Sequence, residues 1–185
     1  TSYESSKSEE IAILISSTAI SVASSSIALQ AYSGTLKFQW IRNKSVFWAA
    51  TGGTSFYGVN LTGCSFDNAD LKYTDFRESN LTQVSFRNAT GLDLARLEGT
   101  ILENPKIRKL LVTGNGQGQD FTQLNLSGAN LINANLEEAI LVRTNLLNAD
   151  LSGSNLTNSC SQDWTVNLST KFKDVKCSRI YLKRS

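Results

Sequence analysis

Large apolar residues recur every five positions over much of this chain, and that spacing rules out both regular ways of burying them. Phe56, Leu61, Phe66, Leu71, Phe76, Leu81 and Phe86 form one unbroken run. Phe121, Leu126, Leu131, Leu136, Leu141, Leu146, Leu151 and Leu156 form a second. On an α-helix each step of five rotates the anchor by about 140°, which scatters the apolar groups around the barrel. On a β-strand every second anchor would point to the opposite face. A chain that turns a corner every five residues keeps all of them inside.

The neighbours of the anchors fit that geometry. Two residues before an anchor the side chain is usually small, as at Cys64, Ala69, Thr74, Ala129, Ala134, Ala139, Thr144, Ala149 and Ser154. One residue before, Asn, Asp or Ser predominates, as at Asn60, Asp70, Asp75, Asn130, Asn135 and Asp150. The anchor and the small residue point inward and the other three positions face solvent. Asn, Asp, Ser and Gly suit the corners. Successive coils stack at about 4.8 Å and share backbone hydrogen bonds.

The segment LSGANLINANL (126–136) shows the unit most cleanly, and it resembles the A(D/N)LXX motif of pentapeptide-repeat proteins. The resemblance implies a right-handed quadrilateral β-helix, with four repeats to a coil, over 54–158.

Two breaks interrupt the period. Between Phe86 and Leu92 the spacing is six, which predicts a one-residue bulge near Asn88–Ala89. The frame then runs on through Leu97 and Leu102, with Thr90, Ala95 and Thr100 in the small position. After Leu102, Asn104 suits an N-cap, Pro105 the first helical position, and Ile107, Leu110 and Leu111 share one face. We therefore expect a short helix at 105–112. A loop of Gly114, Gly116 and Gly118 would follow, the whole forming an insertion at 104–118; the alternative keeps Ile107 and Val112 as further anchors. The glycines lack the Lys and Ser/Thr of a phosphate-binding loop, so they read as a flexible turn. Because loops on rigid scaffolds tend to carry recognition, Lys106, Arg108, Lys109, Asn115 and Gln117 are the candidate interaction surface.

Each end of a solenoid needs a cap. Residues 159–185 are expected to form a capping coil, with Trp164 as a plug or bend. Phe172, Cys177 and Leu182, again five apart, would point inward. The order GTSF, GLDLAR, NP-helix, LLVTG, repeats, DW, TK and C resembles a cyanobacterial-type subgroup of the family. Residues 1–50 are expected to form an N-terminal helical segment. Within it, 11–36 is a stretch of 26 residues without charge, 15 of them apolar, long enough to span a bilayer. Ser17, Ser21 and Ser25 give a small-residue stripe for helix packing in lipid. Glu9 and Glu10 precede the stretch and Lys37, Arg42 and Lys44 follow it. If it spans, the solenoid is cytoplasmic and the N-terminus lies outside. The competing reading is a soluble helix over the first coil. Trp40 and Trp48 read as the plug of that coil, a role that does not exclude the alternative of interfacial aromatics. The chain contains no Met, so the natural protein is expected to extend upstream.

Composition narrows the chemistry. The chain has no His, which removes the commonest general base and zinc ligand. Its three cysteines, Cys64, Cys160 and Cys177, form no CxxC pair and read as reduced, small buried hydrophobes, the alternative being a pairing of Cys160 with Cys177. No catalytic residue, cofactor or metal is expected, and the chain does not read as an enzyme. Net charge is +1 over 1–53, −3 over 54–158 and +4 over 159–185, too little for a nucleic-acid surface.

The leading expectation is a non-catalytic scaffold presenting flat sides to an unidentified protein partner, tethered to a membrane or self-associated as a homo-oligomer through its N-terminal helix. The family resemblance brings a second reading, a DNA mimic that binds type II topoisomerases, which the weak acidity disfavours. A third is a membrane-linked regulatory or signalling spacer.

Overall fold

In the computed structural model, residues 53–182 are described. The N-terminal segment with its 11–36 stretch, Trp40 and Trp48 lies outside them. The described chain winds into stacked four-sided coils, a quadrilateral β-helix. Parallel bridges join residues twenty apart, such as Ser55 to Asp75, Asn60 to Asn80, Ser65 to Ser85 and Asp70 to Thr90. Four pentapeptides therefore close one coil, and each side is one repeat long.

The corners explain the consensus. The amide two residues before each anchor donates to the carbonyl of the preceding anchor, as Ala129 does to Leu126 at 3.1 Å. The third residue of such a turn has positive φ, +68° at Gly128 and +59° at Glu138, as a type II turn requires. The Asn or Asp before the anchor then accepts from the amide two residues on, as Asn125 Oδ1 does from Ser127 at 3.0 Å. The same bond recurs at Asn60, Asp70, Asn80, Asn135, Asn145 and Asn155.

Both inward positions form the core. Leu61, Leu71, Phe76, Leu81 and Phe86 are buried, as are Phe121 and every leucine anchor from Leu126 to Leu156. Phe56 and Phe66 are half-buried against them. The phenylalanines stack along the axis, with ring centroids 5.4 Å apart for Phe56–Phe76 and 5.6 Å for Phe66–Phe86. Above them Ala129, Ala134, Ala139 and Ala149 leave room for the leucines of neighbouring sides.

The first break differs from expectation. Thr90 is exposed and pairs with Asp70, whereas Ala89 is buried in the small position. The frame is thus intact through Thr90. The extra residue enters just after it, in the 3-10 turn Leu92–Leu94, so that Asp75 pairs with Arg96 and not with residue 95. Gly91 permits this, having φ +76° and no room for a Cβ, which would sit 2.6 Å from the Lys72 amide nitrogen.

At the second break the third coil is replaced on one side by helix α1, Pro105–Thr113. Asn104 Oδ1 accepts from the Lys106 and Ile107 amides, and Gly114 ends the helix at φ +67°. Ile107, Leu110 and Leu111 are buried. The glycine segment is a correction to the inserted loop: Asn115 pairs with Asn135, so the coil has already resumed there. Gly116 stands in the anchor position, five residues before Phe121. A Cβ on it would meet Leu136 Cδ2 at 2.9 Å and Leu110 Cδ1 and Phe121 Cε2 at 3.0 Å, so the helix shares with the coils in filling the space that the glycine leaves.

The last described coil carries a second one-residue shift, since Asn145 pairs with Thr165 but Asp150 with Lys171. It ends in the pairing of β1, Ser159–Cys160, with β2, Ile180–Tyr181. Phe172, Cys177 and Leu182 follow bridge residues as anchors do, yet all three are exposed, against expectation. Anchors are buried by the coil above as well as by their own, and no described coil lies beyond this one. Cys64, in the first described coil, is exposed too; only Cys160 is buried, and all three thiols are free.

Candidate functional site

The coil sides are built as rigid flat walls. On the side that begins at Asn60, the asparagines Asn60, Asn80, Asn125 and Asn145 occupy one column, each held by its own turn bond. Because Oδ1 is used in that bond, each leaves its Nδ2 group without a partner among the described residues. Thr62, Thr82 and Ser127 run beside them.

This wall is opened where α1 leaves the coil. A cleft of about 640 Å³ lies between Ser79–Thr82 on one side and Asn125 and Ser127 on the other. Gly99–Ile101, Glu103, Asn104 and Ile107 form its floor and end. Glu103 is the one charged side chain lining it, and its Oε2 accepts from the Gly99 amide at 3.0 Å. The cleft is closed at the next corner, where Gln83 N–H donates to Gly128 C=O at 2.7 Å. Arg87 reinforces the closure: its guanidinium donates to Ile132 C=O at 2.7 Å. Burial there pushes the Arg87 pKa down, against the opposing charge of Asp67.

The adjoining side carries an ionic cluster. Asp75 is nearly buried and binds Arg77 at 2.9 Å and Arg96 at 3.0 Å. Burial alone would raise its pKa, but hydrogen bonds from Arg77 and the charge of Arg96 hold it below the usual carboxylate range. Asp150 is lowered in the same way, burial being outweighed by Ser152 and Lys171. Both carboxylates tie one coil to the next, since Arg96 and Lys171 belong to the coil above.

The residues singled out from sequence fall in two groups. Lys106, Arg108 and Lys109 lie on α1: Lys106 Nζ donates to Asp120 C=O at 3.1 Å and Arg108 Nη1 to Leu102 C=O at 2.9 Å. Lys109 is exposed. Asn115 and Gln117 are exposed on the coil wall beyond the helix, where Asn135 Nδ2 donates to Gln117 Oε1 at 3.3 Å. The helix residues and the wall residues thus belong to different elements. Trp164 is half-buried, with its ring 5.8 Å from that of Phe172. The cleft residues were missed from sequence. Nothing in Asn80, Glu103 or Asn125 singles them out until the coils are stacked.

The sequence model for pentapeptide repeats matches eight copies, over residues 52–90 and 120–158, the two stretches that flank α1. The chain belongs to the pentapeptide-repeat family. Among solved structures it is similar to the pentapeptide-repeat protein Rfr23 from the cyanobacterium Cyanothece 51142. That match has 18% identity over 70% of this chain and 98% of that one, with a TM-score of 0.32. It is also similar to HetL, a pentapeptide-repeat protein involved in heterocyst differentiation regulation in Nostoc, at 19% identity over 71% and 92% with a TM-score of 0.20. A third is the plasmid-mediated fluoroquinolone resistance protein QnrB1, at 20% identity over 67% and 77% with a TM-score of 0.24. No curated protein matches the chain.

Proposed function

We propose that this pentapeptide-repeat protein is a non-catalytic scaffold that binds a protein partner through its flat sides and is tethered to a membrane by residues 11–36. The observation that carries the reading is the asparagine column Asn60, Asn80, Asn125 and Asn145. Its side chains are fixed by turn bonds, so a partner meets them with little rotamer entropy left to lose. The column is neutral and hydrogen-bonding, which favours a polar protein surface over the DNA-mimic reading. The exposed Lys106, Lys109, Asn115 and Gln117 near α1 add a second patch for recognition.

The test is cross-linking with mass spectrometry on an extract of the native source, made with and without detergent. The expected result is cross-links from the solenoid sides to a recurring partner, with extraction dependent on detergent until residues 1–36 are deleted. Purely aqueous extraction of the intact chain would remove the tether. A hydrolytic activity abolished by substituting surface serines with alanine would remove the scaffold.

A further inference from the structure

The interruption of the third coil leaves main-chain groups open on the wall of the cleft. Where the third coil still runs beside the second, Arg96 N–H donates to Thr74 C=O and Phe76 N–H donates to Arg96 C=O, both at 2.9 Å. Five residues on, the same relation would have Ile101 bond Ser79 C=O and Leu81 N–H. Neither bond forms, and these two groups have no partner among the described residues. The opposite wall shows the same vacancy. Asn145 N–H donates to Leu124 C=O at 3.0 Å, and its carbonyl accepts from Leu126 N–H at 2.8 Å. Asn125, one coil nearer the break, makes neither bond. The cause is local. Ile101–Glu103 is wound into a 3-10 turn that buries Leu102 and leads into α1, so it cannot lie extended along the rung.

We propose that this cleft binds an extended, basic peptide segment of a partner protein, which supplies the short strand that the third coil lacks. The inference rests on the scaffold reading and commits it to one site. An alternating set of free N–H and C=O groups is what a peptide backbone recognises when it adds to a sheet edge. The volume of about 640 Å³ is in the range of sites that enclose a ligand. The lining is neutral amides and hydroxyls with Leu81, Ile101 and Ile107 among them, and Glu103 is the one charge, with Oε1 left free of any bond among the described residues. A lysine or arginine in the peptide satisfies it, and an acidic peptide is repelled.

Random decapeptides displayed on phage, panned on the intact chain, test this. Enriched peptides are expected to carry Lys or Arg and to shift the amide resonances of Leu81 and Asn125 in ¹H–¹⁵N spectra. N-methylation of alternate peptide amides is expected to lower affinity by roughly tenfold, the effect of losing one or two main-chain bonds. Asn125→Pro places its ring where the free N–H points. It should therefore bind at least about tenfold more weakly than Asn125→Ala, which loses only the turn bond, and melt at a similar temperature. Asn145→Pro, which deletes a real ladder bond, should melt well below both.

The proposal falls if no peptide is enriched, if enriched peptides shift other residues, or if only neutral oligosaccharides move Leu81 and Asn125. It also falls if Asn125→Pro melts as low as Asn145→Pro. A partner protein that cross-links to the flat sides and binds Asn125→Pro undiminished removes the cleft site and leaves the scaffold reading standing.

Discussion

Gln83 N–H donates to the carbonyl of Gly128 at 2.7 Å, so at this corner the second coil rests directly on the fourth. The contact is tight because residue 128 has no side chain: a Cβ there would lie 3.1 Å from Thr82 Oγ1. Gly128→Ala therefore carries two penalties, the left-handed backbone cost of about 1–2 kcal/mol and the displacement of Thr82. Gly58→Ala carries the first alone, since its φ is +66° and nothing lies near its Cβ. Thermal unfolding should rank Gly128→Ala clearly below Gly58→Ala. Equal melting temperatures would mean that the junction yields at no cost.

The converse substitution should stabilise. Glu138 is exposed and held at φ +59° by the type II turn, where a side chain is strained. Glu138→Gly relieves about 1–2 kcal/mol of that strain and gives back about 0.5–1 kcal/mol in unfolded-chain entropy. A rise in melting temperature is expected, with unchanged far-ultraviolet circular dichroism. A fall would show that Glu138 makes contacts worth more than its backbone costs.

Much of this architecture is legible in the sequence because a period of five admits one kind of solution. The anchors from Phe76 to Leu156 are buried where the spacing puts them. The bulge lies later than the six-residue gap from Phe86 to Leu92 suggests, because Thr90 is a bridge residue and not the small inward one. Ala89, five residues after Val84, shows that the small position continues unbroken, with Gly91 in place of the next anchor. The glycine run after α1 hid a rung for a related reason: Gly116 holds an anchor position whose volume is filled by Leu136, Phe121 and, from another element, Leu110. Phe172, Cys177 and Leu182 could not be read as exposed, because their burial depends on a coil stacked above them. The cleft is set by which main-chain groups go unpaired, and side-chain identity does not encode that.

Acid should loosen the coil junctions held by Asp75 and Asp150. Both have folded pKa values below the ordinary carboxylate value, despite burial that pushes the other way. A depressed folded pKa contributes stability that is fully present above the unfolded value of about 3.9 and is lost as pH falls through the folded value. Denaturant midpoints should therefore hold from pH 7 to about pH 4 and drop below it. Asp75→Asn combined with Asp150→Asn should be less stable at pH 7 and show a shallower acid limb. An acid limb as steep as that of the parent would place the responsible carboxylates elsewhere.

Ser154 occupies the small inward position, fully buried, and its hydroxyl has no hydrogen-bond partner. Thr144, in the same kind of position, avoids that cost by donating to Phe121 C=O at 2.9 Å. Ala149, five residues before Ser154, shows that a methyl group fills the position with no exposure. Ser154→Ala removes an unsatisfied buried hydroxyl without opening a large cavity, a change worth about 1 kcal/mol in favour of the fold. Thr144→Ala, by contrast, removes a satisfied hydroxyl, strands no donor and opens a methyl-sized cavity, so it should destabilise by about 1 kcal/mol. The opposite signs are the test, read as shifts of the denaturant midpoint at constant slope. If Ser154→Ala also destabilises, its hydroxyl is bonded in solution, as those of Ser79 and Ser159 are to the carbonyl of the preceding anchor.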